Sequence, residues 1–109
     1  YVCGGLGDAG RCLDIVERFD PALGTWERLA SLESARSSAP AMPSNGRLYV
    51  CGGLGEGATR LDSVERFDAG AGVWEPLPPM HERRSSAAAA VLSGSLYVCG
   101  GLGEEGSRL

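Results

Sequence analysis

Leu48-Tyr49-Val50-Cys51-Gly52-Gly53-Leu54-Gly55 is the stretch whose reading decides the fold. Tyr, Val and Cys in an apolar run favour a pleated strand, and the glycine pair that stops it supplies backbone conformations closed to other residues. The same words stand at Tyr1-Val2-Cys3-Gly4-Gly5-Leu6-Gly7 and at Tyr97-Val98-Cys99-Gly100-Gly101-Leu102-Gly103, so Cys3, Cys51 and Cys99 are spaced by 48 residues both times. Laying residues 1–48 over 49–96 without a gap matches 25 of 48 positions, and 49–61 over 97–109 matches 10 of 13. The chain is therefore an array, and its fold follows from what a unit of that length builds.

Punctuation divides the complete middle unit into four short segments. Segment a covers Ser38–Pro43, b Arg47–Gly52, c Asp62–Phe67 and d Val73–Leu77. Ser44-Asn45-Gly46 joins a to b, and Asp68-Ala69-Gly70-Ala71-Gly72 joins c to d; the preceding unit uses Asp20-Pro21-Ala22-Leu23-Gly24 for the second turn. Asp, Pro and Gly are turn residues with a mechanism: a side-chain acceptor, a preset φ and tolerance of positive φ. Val64 and Phe67 are an odd number apart and point to opposite faces, as do Tyr49 and Val50, so the sheets are covered on both sides. Ala87-Ala88-Ala89-Ala90-Val91-Leu92 has helical propensity. Its counterpart Ser38-Ala39-Pro40-Ala41-Met42-Pro43 carries two prolines three apart, which a helix interior excludes, so both segments read as the crowded innermost strand, with Pro43 at the strand's end.

Four-stranded antiparallel units near this period, apolar on both faces, read as blades of a β-propeller. The wording adds a resemblance. Leu-Tyr-Val-Cys-Gly-Gly over 48–53, Leu-Asp-Ser-Val-Glu-Arg-Phe-Asp over 61–68, Val-Trp-Glu-Pro-Leu-Pro-Pro-Met over 73–80 and Arg-Arg-Ser-Ser over 83–86 resemble the kelch repeat, and most of all the kelch-like proteins that also carry a BTB domain. Ala69 in place of the usual turn Pro, and Ala30-Ser31-Leu32 in place of the Pro-Pro-Met of 78–80, depart from the pattern locally. The expected fold is all-β, a partial kelch-type propeller with a 48-residue repeat. Residues 1–32 supply strands b to d of one blade, 33–80 a complete blade, and 81–109 strands a and b of a third. Such a chain reads as an excerpt of a longer one, and its open blade faces predict self-association when isolated.

Composition narrows function by exclusion. There are 14 acidic residues against 10 basic ones, all of them Arg, for a net charge of −4. A nucleic-acid binder is expected to show a basic excess, so nucleic acid is not expected as a partner. No apolar run approaches the length of a membrane span. Three of the four cysteines hold equivalent slots, which predicts a buried, reduced thiol in each unit and a cytoplasmic protein; Cys12 alone falls in a loop. Gly5-Leu6-Gly7-Asp8-Ala9-Gly10 and Gly101-Leu102-Gly103-Glu104-Glu105-Gly106 match the dinucleotide pattern. The pattern needs a helix directly after it, whereas here a strand follows. His81 is the only histidine, so neither a metal set nor a Ser-His-Asp set can be assembled from these residues, and no cofactor or catalytic residue is expected.

Function is therefore sought in the loops. Antiparallel geometry puts the b-to-c loops (Leu6–Cys12, Glu56–Arg60, Glu104–Arg108) and the d-to-a loops (Ser31–Arg36, Pro78–Arg84) on one face. Arg36, Arg83 and Arg84 are expected to ring the channel mouth, with Arg11 and Arg60 further out, and together with His81 and Arg108 to form a partner-binding set suited to an acidic client segment. Gly4, Gly5, Gly52, Gly53, Gly100, Gly101, Trp26, Trp74, Glu17 and Glu65 are expected to be structural: glycines for turns, Trp for packing between blades, Glu for a paired link inside a covered sheet. The resemblance implies a substrate-recognition propeller that presents a client protein to a cullin-based ubiquitin ligase through a BTB domain outside this segment. The alternative it leaves open is an actin-associated or other structural scaffold.

Overall fold

The turns chosen by the sequence set the strand ends. In a computed structural model that describes residues 1–109, nine strands form three antiparallel sheets in chain order. The first sheet holds β1 (Val2–Cys3), β2 (Val16–Asp20) and β3 (Thr25–Leu29); the second β4 (Ala41–Ser44), β5 (Arg47–Cys51), β6 (Val64–Asp68) and β7 (Val73–Leu77); the third β8 (Ala88–Leu92) and β9 (Ser95–Cys99). Asn45 and Gly46, with φ of 50° and 75°, join β4 to β5 in the mirror-image turn whose twist matches paired strands, and Ser93 and Gly94 repeat it at 51° and 79°. Between β6 and β7, Asp68 Oδ1 accepts the amides of Gly70 and Ala71 at 2.9 and 3.2 Å, and Gly72 closes the turn at φ 71°. Asp20 does the same for Ala22 and Leu23.

The alanine run is a strand, paired in register from Ala88↔Cys99 to Leu92↔Ser95. Segment a, expected to start at Ser38, begins regular pairing only at Ala41. Ser38 is left-handed at φ 53°, as is Ser86 at 55°, and this kink delays both innermost strands. Pro43 lies inside β4 opposite Leu48 rather than at its end, tolerated because β4 is the edge of its sheet.

The core lies between the first two sheets, where Val16, Leu32, Leu48, Val50, Phe67 and Trp74 are buried together. Phe67 and Trp74 pack with ring centroids 5.2 Å apart, and the Trp74 indole N–H donates to Ala30 O at 2.8 Å in the preceding unit. Phe19 and Trp26 form the same pair in the first sheet, yet there they are 42% and 54% exposed because no sheet covers them. The expectation of three equivalent buried thiols is corrected for the same reason. Cys51 is buried between sheets, Cys3 is half-buried and Cys99 is exposed.

Two devices hold the frame together, one between successive units and one within a unit. The first is the glycine pair. Gly52 and Gly53 are left-handed at φ 61° and 99°, and Gly53 N–H donates to Arg84 O of the next unit at 2.8 Å. A Cβ on Gly53 would stand 2.5 Å from Ser37 O, and one on Gly52 2.5 Å from Arg84 O. The glycines are thus required by close approach of the incoming innermost strand as well as by φ.

The second is a buried ion pair. Arg36, 1% exposed, precedes β4 and reaches across its own sheet to Glu65 on β6 at 2.8 Å. Its guanidinium also donates to Gly52 O at 2.8 Å, Ser63 O at 3.0 Å and Ser63 Oγ at 2.9 Å. Glu65 in turn accepts the amides of Glu33 at 2.7 Å and Ser34 at 3.1 Å. The neighbouring Arg66 is not part of this link; it pairs with Glu75 across to β7.

Three outcomes follow for stability. Gly53→Ala is expected to lose about 3 kcal/mol in denaturant unfolding, from left-handed strain and backbone overlap together. Glu65→Ala, which strands a buried guanidinium, is expected to cost about 3–5 kcal/mol, and the double variant Arg36→Met/Glu65→Leu markedly less than the sum of the single changes; a cost for Glu65→Ala near that of a surface substitution would show the pair to be unimportant. Burial pushes the Cys51 thiol up from 9.0 to about 11, against the opposing pull of Arg36. A thiol pKa raised by folding stabilises below the unfolded value and loses that contribution as pH rises from about 9 toward 11. Alkylation at pH 8 should therefore label exposed Cys99 well before Cys51, whose rate climbs only at higher pH or on unfolding.

Candidate protein-binding face

Each b-to-c loop is closed at its base by backbone bonds and ends in a single 3-10 turn. Leu61 N–H donates to Gly53 O at 2.8 Å, Gly55 N–H to Thr59 O at 2.8 Å, and the turn covers Glu56–Ala58; Asp8–Gly10 and Glu104–Gly106 repeat it. Every tip carries two successive left-handed residues: Ala9 and Gly10, Gly57 and Ala58, Glu105 and Gly106. One of each pair is not glycine and sits at φ 58–59°, a strained conformation held by the closed base. The three tips are exposed and project from rigid stems.

Adjacent stems interlock through one repeating slot. Cys12 is half-buried and its Sγ–H donates toward Leu54 O at 3.3 Å and Gly55 O at 3.4 Å on the next loop. Arg60 holds the same slot one unit on and donates from Nε to Ser85 Oγ at 3.2 Å, while Arg83 donates to Arg60 O at 3.3 Å and pairs with Glu104 at 3.4 Å. A groove of about 330 Å³ opens between the first two loops, bordered by Leu6, Cys12, Ser37, Leu54 and Glu56.

This geometry changes the arginine set drawn from the sequence. Arg36 does not reach the channel mouth, because its guanidinium is sequestered by Glu65 and Ser63. Arg84 is half-buried and donates to Gly100 O at 3.0 Å, and Arg60 is half-buried against Ser85. Arg11, His81, Arg83 and Arg108 are exposed. They are outnumbered by exposed carboxylates at Asp8, Glu33, Glu56, Glu82, Glu104 and Glu105, so the face is acidic rather than a ring of free guanidinium groups. The slot of Cys12 and Arg60, and the serines at 37 and 85, were not singled out in the sequence as inter-loop contacts. The 48-residue offset between them is the signal that carries it.

No group of three or more His, Cys, Asp and Glu side chains converges in a way that could hold a metal ion, and no helix is long and apolar enough to cross a membrane. A solved structure described as that of YjhT superposes with a TM-score of 0.75 at 26% sequence identity, over 92% of this chain and 31% of the other. The chain therefore spans under a third of that protein's length. The family model for the kelch motif matches residues 1–33 and 35–81. With that match over most of the chain, and with three antiparallel sheets in the propeller arrangement, the chain belongs to the kelch-motif family.

Proposed function

We propose that this chain is a protein-interaction module whose contact surface is the face carrying the tips at Asp8–Gly10, Glu56–Ala58 and Glu104–Gly106. The observation that carries the reading is the division of labour between stem and tip. The stems are pinned by backbone bonds and by buried Arg36 and Glu65, while the tips differ at most positions, are exposed and hold strained backbone. Variable side chains on a fixed scaffold are what recognition of one partner requires. The carboxylate excess favours a partner with basic residues at the contact, in place of the acidic client inferred from the arginines alone. Within that reading, the wording around Val64-Glu65-Arg66-Phe67-Asp68 supports a substrate-receptor role for a cullin-based ubiquitin ligase.

Placing a photo-crosslinker at Glu56 and, separately, at Ala69 on the opposite turns distinguishes the two faces. Capture of a partner from Glu56 and not from Ala69 is expected; the reverse would assign binding to the other end. Once the partner is in hand, Glu56→Arg with Glu104→Arg should weaken binding about tenfold, roughly 1.4 kcal/mol, with a shallower salt dependence. An unchanged affinity would remove the tips from the interface. Co-capture of a cullin tests the ligase role, and co-sedimentation with actin filaments tests the scaffold alternative.

A further inference from the structure

The groove between the first two loops has a counterpart one unit on, between the second and third, and the two are lined differently. In the counterpart the space is taken by the protein's own side chains. Arg60 Nε donates to the buried Ser85 hydroxyl at 3.2 Å, and its Nη2 reaches to 4.0 Å from where a Cβ on Gly106 would stand, so the guanidinium spans from one stem to the tip of the next loop. Arg83 lies beside it, donating to Arg60 O at 3.3 Å and pairing with Glu104 at 3.4 Å. No cavity opens between these two loops.

The first groove keeps the walls and has neither arginine. Cys12 holds the place of Arg60, and Ala35 that of Arg83. Ser37, Leu54, Glu56 and Ala58, in the places of Ser85, Leu102, Glu104 and Gly106, line an open space of about 330 Å³. Two acceptors are thereby left short of a donor. Ser37 is only 4% exposed, and the one side-chain contact of its hydroxyl is the Cys12 thiol at 3.9 Å, a weak donor at long range. Glu56 makes no ion pair, and neither does Arg11 next to Cys12. The same two differences open the space and take two positive charges out of it.

We propose that this groove receives an arginine side chain of the protein partner, with Cys12 and Ala35 as the residues that make room for it. The inference rests on the tip face being the contact surface and names the group that surface takes. Arg60 supplies the pose. An incoming guanidinium that follows it lies along Cys12, donates to Ser37 Oγ and to the carbonyls of Leu54 and Gly55 now met only by the thiol side chain at 3.3 and 3.4 Å, and faces Glu56 as Arg83 faces Glu104. Acceptors spread over a serine, two carbonyls and a carboxylate suit the planar fork of arginine, whereas a lysine ammonium meets them as one point charge. The recess therefore selects arginine over lysine.

The probe is acetyl-arginine amide, titrated into the protein and followed through its backbone amide resonances, with acetyl-lysine amide, equal in charge, as the reference. Saturable shifts at Ser37, Leu54 and Gly55 are expected, with the arginine probe bound about tenfold tighter than the lysine one. Equal response to the two probes, or none at these amides, overturns the proposal, because attraction to acidic tips in general would not tell them apart. Cys12→Arg copies a residue the fold already accepts at position 60, and should abolish the arginine response while the other amide resonances stay in place; a response that persists also overturns it. The titration of the unaltered protein stands whatever that variant does. With the cross-linked partner in hand, Cys12→Arg should lower its affinity about tenfold. Unchanged affinity while Glu56 still captures the partner would sink the recess and leave the contact face standing. An arginine-selective response in a protein whose Glu56 captures nothing would do the reverse.

Discussion

A guanidinium group with no access to water governs how this structure is put together. Arg36 lies in the segment that leads into an innermost strand, and its partners are spread over the end of the second strand and the start of the third. One planar group with several fixed donors therefore sets the separation of three strands in the sheet. Lysine would offer a single point charge, whereas the fork of arginine meets three carbonyls, a hydroxyl and a carboxylate at once. Glu65 extends the same link to the amides of Glu33 and Ser34, so the loop entering the blade is fixed by the sheet it precedes. A charge at that depth is tolerable only because every neighbour is a partner.

The glycine pair works beside this pin and depends on it. With Arg36 holding the incoming strand down, the carbonyls of Ser37 and Arg84 come too near Gly53 and Gly52 for any side chain. Their left-handed backbone turns the chain out of the sheet and straight into the closed stem of the b-to-c loop. Strain at Ala9, Ala58 and Glu105 is affordable at the tips because the stem below them is rigid. Seam and loop tips are thus one construction, with close packing at its base and backbone strain displaced to its end.

Much of this was legible in the sequence because repetition turns one chain into its own comparison. The prolines at 40 and 43 decided the nature of the alanine run at 87–90, and the structure makes that run a strand. The Asp-to-Gly turns and the Asn45-Gly46 hairpin were readable from residue chemistry alone. The fate of the arginines was not. Arg36 precedes a strand in a polar stretch, and nothing local separates a guanidinium aimed at solvent from one aimed at a carboxylate 29 residues further on. Pairing of Arg36 with Glu65 is a tertiary fact, decided by where β6 runs. Exposure of Cys99 against burial of Cys51 was equally hidden, since identical wording is covered in one place and open in another.

The repeat itself suggests how such ambiguities resolve. Slots whose partner belongs to the invariant frame keep their residue, as Arg36 and Arg84, Glu17 and Glu65, and Ser37 and Ser85 do. The slot of Cys12 and Arg60 changes its residue yet keeps its neighbour, since Cys12 reaches the Ser37 hydroxyl as Arg60 reaches that of Ser85. A charge that recurs at the blade period in a covered sheet is therefore better read as a seam than as a binding group. By that rule the recurrence of Arg36 and Arg84 argues for the interior and not for the channel mouth. The exposed tips share an acidic first residue at Asp8, Glu56 and Glu104 and differ at the positions behind it.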